Sequence, residues 1–489
     1  MREKAKCGAA NTVKANTAND LVVRPELDDS GRVARRAWQS LVVVSAATCV
    51  IVLDMMAANV AFAFIEQEFS ATPRSTLAWI SSGYAIAAAA LLMVAGRLSD
   101  RHGRRRIFLG GLALYSAVSI VTAAAPNAAV LIGARFVQGA GSAMITSTAI
   151  ALLLPEFPAA KRGLAIGIWG AASSAGAAAG PTLAALAIEA STWRAVFLVN
   201  VPIGIVALLV GHRVLHEPAR APVSGRIDLL GTVLGTLAIA LLTLGILQGP
   251  RWGWASGSVA ASLGFAVVLS AVFGWRCTRA AAPLVDFSLF RHRRFAIANL
   301  SQAGTQLAIM AWFFTTPLFL INVWGYSALA GGAAVALGMI VSLVSIPVGH
   351  YSDQHGYRGV LIVGGLVTCA GMGVWVAFVD GTASFWSAYL VGLLLFGIGA
   401  GMVGIVVTNA ALANLDESVL ASANALFQTI RRLVGAIGVA LAVALLGDRS
   451  TESAASFRRV WILIGAGYLF SVVAILAYPP SRKSARSGA

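Results

Sequence analysis

The sequence predicts an all-α integral membrane protein, two six-helix bundles with two further transmembrane helices between them, fourteen spans in all. Three observations carry that expectation. Of 489 residues, 58% are hydrophobic and only 11% are charged, and the mean hydropathy is +0.80, whereas water-soluble domains are about 25% charged. Apolar runs of the roughly 20 residues that a helix needs to cross ~30 Å of hydrocarbon recur along nearly the whole chain. Finally, GRLSDRHGRRR from Gly96 to Arg106 is echoed 253 positions later by GHYSDQHGYR from Gly349 to Arg358. Gly96, Asp100, His102 and Gly103 land on Gly349, Asp353, His355 and Gly356, the mark of two related halves.

A polar tail, 1–40, precedes the first run. The first half, 41–215, holds runs at 41–63, 78–98, 107–125, 128–153, 163–188 and 195–215. Two inserted runs, 227–247 and 256–275, make a segment of their own, followed by a polar linker at 276–295. The second half, 296–478, holds runs at 296–320, 328–350, 358–379, 385–412, 420–446 and 458–478, and a tail at 479–489 closes the chain. The runs are continuous rather than alternating, so each is a helix that satisfies its own backbone groups in lipid, not a barrel strand. RRAWQS before the first run resembles a twin-arginine signal, but the run exceeds the 7 to 15 residues of a signal core, which favours an uncleaved span.

Orientation follows the basic residues. Arg101, Arg104, Arg105 and Arg106, then Lys161 and Arg162, then Arg213, Arg220 and Arg226, then Arg276, Arg279, Arg291, Arg293 and Arg294 fall in alternate loops. Those loops and both termini are expected in the cytoplasm, with Arg449, Arg458 and Arg459 as exceptions in the last outer loop. The formal charge of +16 is then topology and contact with anionic lipid, not nucleic-acid binding. Cys7, Cys49, Cys277 and Cys369 are scattered without pairing or metal spacing, and the six histidines sit in loops or at span ends, so no metal site, disulfide or membrane-enzyme cluster is expected. Gly399, Gly401 and Gly404 match GxGxxG inside a span with no preceding strand, which points to helix packing rather than dinucleotide binding.

The Gly96–Arg106 segment resembles the signature loop between helices 2 and 3 of the major facilitator superfamily, with a reduced copy after helix 10. LDMMAANVA from Leu53, RFVQGAGSA from Arg135, GAAAGP from Gly176 and WRAVFLVNVPIG from Trp193 resemble that superfamily's first-, fourth-, fifth- and sixth-helix motifs. Six plus two plus six spans is similar to the fourteen-span drug:proton antiporter family (EmrB/QacA-like). The resemblance implies the major facilitator fold in a bacterial inner membrane and proton-coupled multidrug efflux, the export of amphiphilic or hydrophobic compounds from the cytoplasm by alternating access. It implies no cofactor beyond the proton gradient, and a carrier working as a monomer, alone or with accessory export proteins. Ala184 and Ala185 stand where the antiporter signature usually carries two glycines. Export of an endogenous lipid, siderophore or secondary metabolite, and proton symport, stay open as alternatives.

Of 20 acidic residues only Asp54 falls deep within a predicted span. An ionised carboxyl there must be paired or protonated, which makes it a functional candidate; a packing acid bonded to a neighbouring helix is the competing reading. Helices 1 and 4 run in opposite directions and place Asp54 and Arg135 ~13 and ~10 Å from the same surface, close to level. Arg135, Gln138, Ser142 and Thr146 form one polar stripe on helix 4, as proton-coupling partner, substrate contacts or a structural network. Adding 253 to Asp54 and Arg135 gives Leu307 and Ala388, so the pair is not duplicated. Instead helix 9 offers Asn299, Gln302 and Gln306, and helix 13 offers Asn424, Gln428 and Arg431 beside Arg432, as substrate-cavity candidates. The two arginines are equally compatible with snorkelling or backbone pairing.

The resemblance makes Gly96, Asp100, Arg101, Gly103, Arg104, Asp353 and Gly356 a cytoplasmic gate. In that gate Asp100 faces the start of helix 13 near Ser418 and Asp353 the start of helix 5 near Lys161. Gly176, Gly180 and Pro181 are expected to give helix 5 close packing and a bend. Trp79, Tyr84, Trp169, Trp312, Phe313, Trp375 and Phe427 include potential cavity aromatics.

Overall fold

The first apolar run becomes α1 (Arg35–Glu68), a helix well beyond the predicted 41–63. It outgrows the hydrocarbon because both ends are tied down. Arg36 donates through Nε to the Val214 carbonyl at 3.0 Å, and Glu66 meets Arg74 in a buried ion pair at 2.6 Å. The computed structural model describes residues 35–217, 228–279, 287–342, 348, 351–352, 355–412, 415, 417–447 and 453–479. Residues 1–34 of the predicted tail 1–40, residues 480–489 of the tail 479–489, and Gly349 and Asp353 of the second echo lie outside the described residues.

The helices that follow are α2 (Trp79–His102), α3 (Arg104–Ala123), α4 (Ala128–Leu153), α5 (Ala159–Ala190) and α6 (Trp193–Val214). Next come α7 (Leu229–Trp252), α8 (Gly257–Arg279), α9 (Arg293–Leu318) and α10 (Ala328–Val341). The series ends with α11 (Tyr357–Phe378), α12 (Leu390–Leu412), α13 (Glu417–Leu446) and α14 (Ala454–Leu476). Among the described residues thirteen helices are long and apolar enough to cross a membrane. The remaining one, α10, is described for fourteen residues. Every connection reverses direction, so residues 35 and 476 lie at one end, here called the near end, and residues 68–79 at the far end.

The two halves repeat each other in backbone detail. Gly103 and Gly356 both stand in the left-handed region, at φ 105° and 95°, where a side chain is strained. Their N–H groups both reach back 2.8 Å, to Ser99 O and Ser352 O, and His102 and His355 both point Nδ1 at carbonyls four residues earlier. Helix crossings repeat as well. Gly139 of α4 meets Tyr84 O of α2 and Gly397 of α12 meets Gly338 O of α10; Gly180 of α5 meets Leu53 O of α1 and Gly438 of α13 meets Leu307 O of α9. These crossings revise the internal alignment. The offset is 253 at Gly103 and Gly356 but 258 at Gly139 and Gly397, since 397 − 139 = 258. The added residues fall in the α11–α12 connection. Arg135 therefore corresponds to Leu393 rather than Ala388, and Asp54, next to Leu53, to Ala308 rather than Leu307.

The inserted α7 and α8 form a hairpin. Gly245 lies against Leu263 and Gly235 against Phe273, while Asp228 caps α7 and pairs with Arg276 at 2.8 Å. α7 packs on α2 and α13, one helix from each half. α8 turns Phe265, Val267 and Trp275 outward, each more than 60% exposed, a surface suited to lipid rather than water. At the far end the halves interlock: Phe62 of α1 meets Phe314 of α9 at 4.6 Å between ring centres, and Glu189 of α5 accepts from the Leu329 N–H at the start of α10.

Candidate functional site: a buried ion pair beside a central cavity

Asp54 is fully buried on α1, and its two oxygens take different partners. Oδ2 accepts from Arg135 Nη1 at 2.6 Å and Oδ1 from Asn200 Nδ2 at 2.6 Å. Arg135, 1% exposed, also donates to Gln138 Oε1 at 2.7 Å and to the Ile80 carbonyl at 3.2 Å, and its guanidinium lies 4.4 Å over the Tyr84 ring. Gln138 passes the network to Ser119 of α3 at 2.9 Å. Five helices of the first half thus converge on one carboxylate. Two charges in a low-dielectric interior are tolerated only when each is paired and hydrogen-bonded, as here. A guanidinium is a permanent cation, and Asp54 is the carboxylate that compensates it.

Helix packing puts Asp54 at the seam. A Cβ on Gly176 would stand 2.5 Å from the Cys49 carbonyl oxygen, and one on Gly180 would stand 2.9 Å from that of Leu53, so only glycine lets α5 lie this close to the turn that ends in Asp54. On the other side of α5, Gly332 of α10 packs against the Pro181 carbonyl and Ala185. The Gly-Pro segment is thereby pressed between the two halves, and α5 continues through Pro181 to Ala190. Ala184 and Ala185 are buried in that contact, where small side chains suffice.

Next to the pair, between the halves, is a cavity of about 240 Å³. The first half contributes Met55, Asn59, Ser81, Tyr84 and Arg135, and the second half Gln306, Met310, Gln428, Arg431, Arg432 and Gly435. Arg431 donates to Gln306 at 2.9 Å, Gln302 supports Gln306 at 3.2 Å, and Arg432 reaches across to Thr146 of α4 at 3.4 Å. Arg431 is enclosed by the protein yet exposed to the cavity, so its accessible surface belongs to the cavity rather than to the outside.

The structure divides the expected cavity residues. Gln306, Gln428 and Arg431 line the space. Gln138 and Ser142 do not: Gln138 is buried in the Arg135 network, and Ser142 is buried and donates to the Gly139 carbonyl. Asn299 is turned back onto the Phe295 carbonyl, Gln302 acts through Gln306, and Asn424 lies a turn away from Gln428, off the cavity wall. Asn200 was not singled out from the sequence, since an amide in VNVP looks like any other span amide; only its depth opposite Asp54 marks it. Of the aromatics, Tyr84 lines the cavity, whereas Trp312, Phe313, Trp375 and Phe427 are core, Trp169 bonds Thr48 and Trp79 stacks on Phe136.

At the near end Asp100 pairs with Arg104 at 3.1 Å. The carboxylate seated on a helix N-terminus there is that of Glu217, which accepts from the Arg104 and Arg105 N–H groups of α3, as the helix dipole favours. Arg104 also reaches the Ala151 carbonyl and Arg105 that of His212, tying the loop to α4 and α6, while Arg101 is exposed and Gly96 stands loosely by Ser147. Asp353 and the side chains of 416–422, where the second half of the expected gate contacts would fall, lie outside the described residues.

Residues 44–439 match the Major Facilitator Superfamily, with a second match over 342–488. The chain is 32% identical over 469 residues to the cephamycin export protein CmcT of Amycolatopsis lactamdurans, covering 91% of this chain and 93% of that one. It is 31% identical over 426 residues to the tetracenomycin C resistance and export protein of Streptomyces glaucescens, covering 85% of this chain and 77% of that one. It is 32% identical over 400 residues to the multidrug resistance protein Stp of Mycobacterium tuberculosis, covering 81% of this chain and 73% of that one. Among solved structures the nucleoside transporter NupG superposes with a TM-score of 0.65 at 11% identity, covering 91% of this chain and all of that one. A bacterial homologue of the lysosomal transporter Spinster gives 0.63 at 14%, covering 91% of this chain and 96% of that one. Two repeated six-helix halves, a cavity between them and sequence matches over most of the length lead to one conclusion: the chain belongs to the Major Facilitator Superfamily.

Proposed function

We propose that this protein exports amphiphilic or hydrophobic small molecules across the bacterial cytoplasmic membrane in exchange for protons, as a monomer with its near end and both termini in the cytoplasm. The observation that carries the reading is the buried Asp54–Arg135 pair, held by Asn200, at the wall of a cavity shared by both halves. In the cycle, Asp54 takes a proton from outside and its charged link to Arg135 weakens. Substrate leaves, and the empty protonated carrier turns inward to release the proton. The far-end contacts Phe62–Phe314 and Glu189–Leu329 separate when the cavity faces outward, and the Gly103 and Gly356 loops close the cytoplasmic side.

Relatives named for export of one antibiotic, cephamycin or tetracenomycin C, stand beside the multidrug resistance protein Stp, and together they support efflux of antibiotics and other drugs. Everted vesicles test the core of the reading. Uptake of an amphiphilic dye should follow an imposed acid-inside gradient, collapse with a protonophore, and vanish in Asp54→Asn. Gradient-driven uptake that survives Asp54→Asn refutes the coupling role.

A further inference from the structure

The charges around the cavity do not balance. Arg135 is neutralised by Asp54, but the other two arginines on the wall, Arg431 and Arg432, meet only neutral groups, Gln306 Oε1 at 2.9 Å and Thr146 Oγ1 at 3.4 Å. Among the described residues no carboxylate lies within ion-pair range of either. The cavity wall therefore carries two guanidinium groups beyond the neutral Asp54–Arg135 pair. Adjacent guanidinium groups repel, and in an enclosed space water is what solvates and screens them.

Any substrate that fills about 240 Å³ displaces that water. A cationic guest would add a third uncompensated charge to the same side. A carboxylate would replace the lost hydration with charge-assisted hydrogen bonds, for which the planar guanidinium fork is suited. The rest of the wall is mostly apolar, with Met55, Ala85, Met310 and Val439 beside the uncharged polar groups of Asn59, Ser81 and Gln428, and it offers no second charge to compensate the arginines. From this geometry we infer that the substrate is an organic monoanion, a carboxylate carried on a compact apolar body, bound with its acid on Arg431 and Arg432. This rests on reading the cavity as the transport site, and it narrows the substrate from amphiphiles in general to acids.

Two shape-matched fluorescent probes test it: 9-anthracenecarboxylate and 9-anthracenemethylammonium, titrated into the full-length protein in lipid nanodiscs and corrected for empty discs. The carboxylate should bind at least tenfold more tightly. Arg431→Gln/Arg432→Gln should cut carboxylate affinity about tenfold and erase the preference, while Arg431→Lys/Arg432→Lys, which keeps the charge and guards against simple misfolding, should retain most of it. Tighter binding of the ammonium probe, binding of neither, or carboxylate affinity unchanged in the glutamine variant overturns the inference. The same probes in everted vesicles separate the two readings. Gradient-driven uptake of the ammonium alone sinks the anion site and leaves export standing, whereas preferential carboxylate binding without uptake of either probe sinks export and leaves the anion site.

Discussion

The two halves share helix crossings residue by residue and differ almost completely in what they place at them. Where α1 and α4 of the first half carry Asp54 and Arg135, the matching positions of α9 and α12 are Ala308 and Leu393, both fully buried. A polar network occupies one half. In the other, Trp312 stacks on Phe396 at 4.4 Å, and a further cluster gathers Trp375, Tyr389 and Trp461. The difference teaches that the crossing geometry is indifferent to the chemistry it holds, provided glycine remains where backbones touch and buried charges come in pairs.

The largest expected effect breaks the polar half. Asp54→Ala leaves Arg135 buried and uncompensated and should cost about 3–5 kcal/mol, read as a lowered unfolding midpoint in detergent, together with loss of gradient-driven uptake. A transplant asks whether the aromatic half accepts the same chemistry. Leu393→Arg alone should be destabilising by several kcal/mol, and Ala308→Asp/Leu393→Arg should recover about 0.5–3 kcal/mol relative to the sum of the single changes in a double-mutant cycle. No recovery would mean that the two positions do not meet as Asp54 and Arg135 do.

A third test concerns the shared geometry itself. Gly180→Val and Gly438→Val each drive a side chain into a neighbouring carbonyl, of Leu53 and Leu307 respectively, and each should cost about 1–3 kcal/mol. Unequal losses in the same unfolding assay would show that one crossing yields more readily. The smallest effect lies in the α11–α12 connection, which has outgrown its counterpart. Asp380 accepts from the Thr382 hydroxyl at 2.5 Å and its N–H at 2.8 Å, and these bonds hold the carboxyl below its ordinary value of 3.8. A depressed carboxyl stabilises the fold above its unfolded pKa and loses that contribution as pH falls through the folded value. The difference between wild type and Thr382→Val should thus be small and constant above about pH 5, shrinking below pH ~4. A difference that grows on acidification would contradict the assignment.

Much of this was legible in the sequence because hydrocarbon is an unforgiving solvent. It makes Asp54 conspicuous among 20 acids and lets simple depth arithmetic set Arg135 beside it. What escaped were matters of azimuth and small insertions. Asn299, Gln302 and Gln306 share one stripe, yet only Gln306 reaches the cavity wall. Helical spacing says which residues share a face, not how far around the helix the cavity extends. The extra residues between α11 and α12 shifted the inferred partner of Arg135 from Leu393 to Ala388, because a single offset cannot see a lengthened loop.

The loop glycines at φ 105° and 95° explain why an ancestral duplication is still readable at all. A residue whose backbone forbids a side chain has almost no neutral neighbours in sequence space, so each copy is locked in place independently of the other. Charges carry no such backbone requirement, and at those positions the two copies differ. The echo of Gly103 in Gly356 is therefore a fossil of the chain's shape, and its silence about Asp54 and Arg135 records how the two copies parted in occupation.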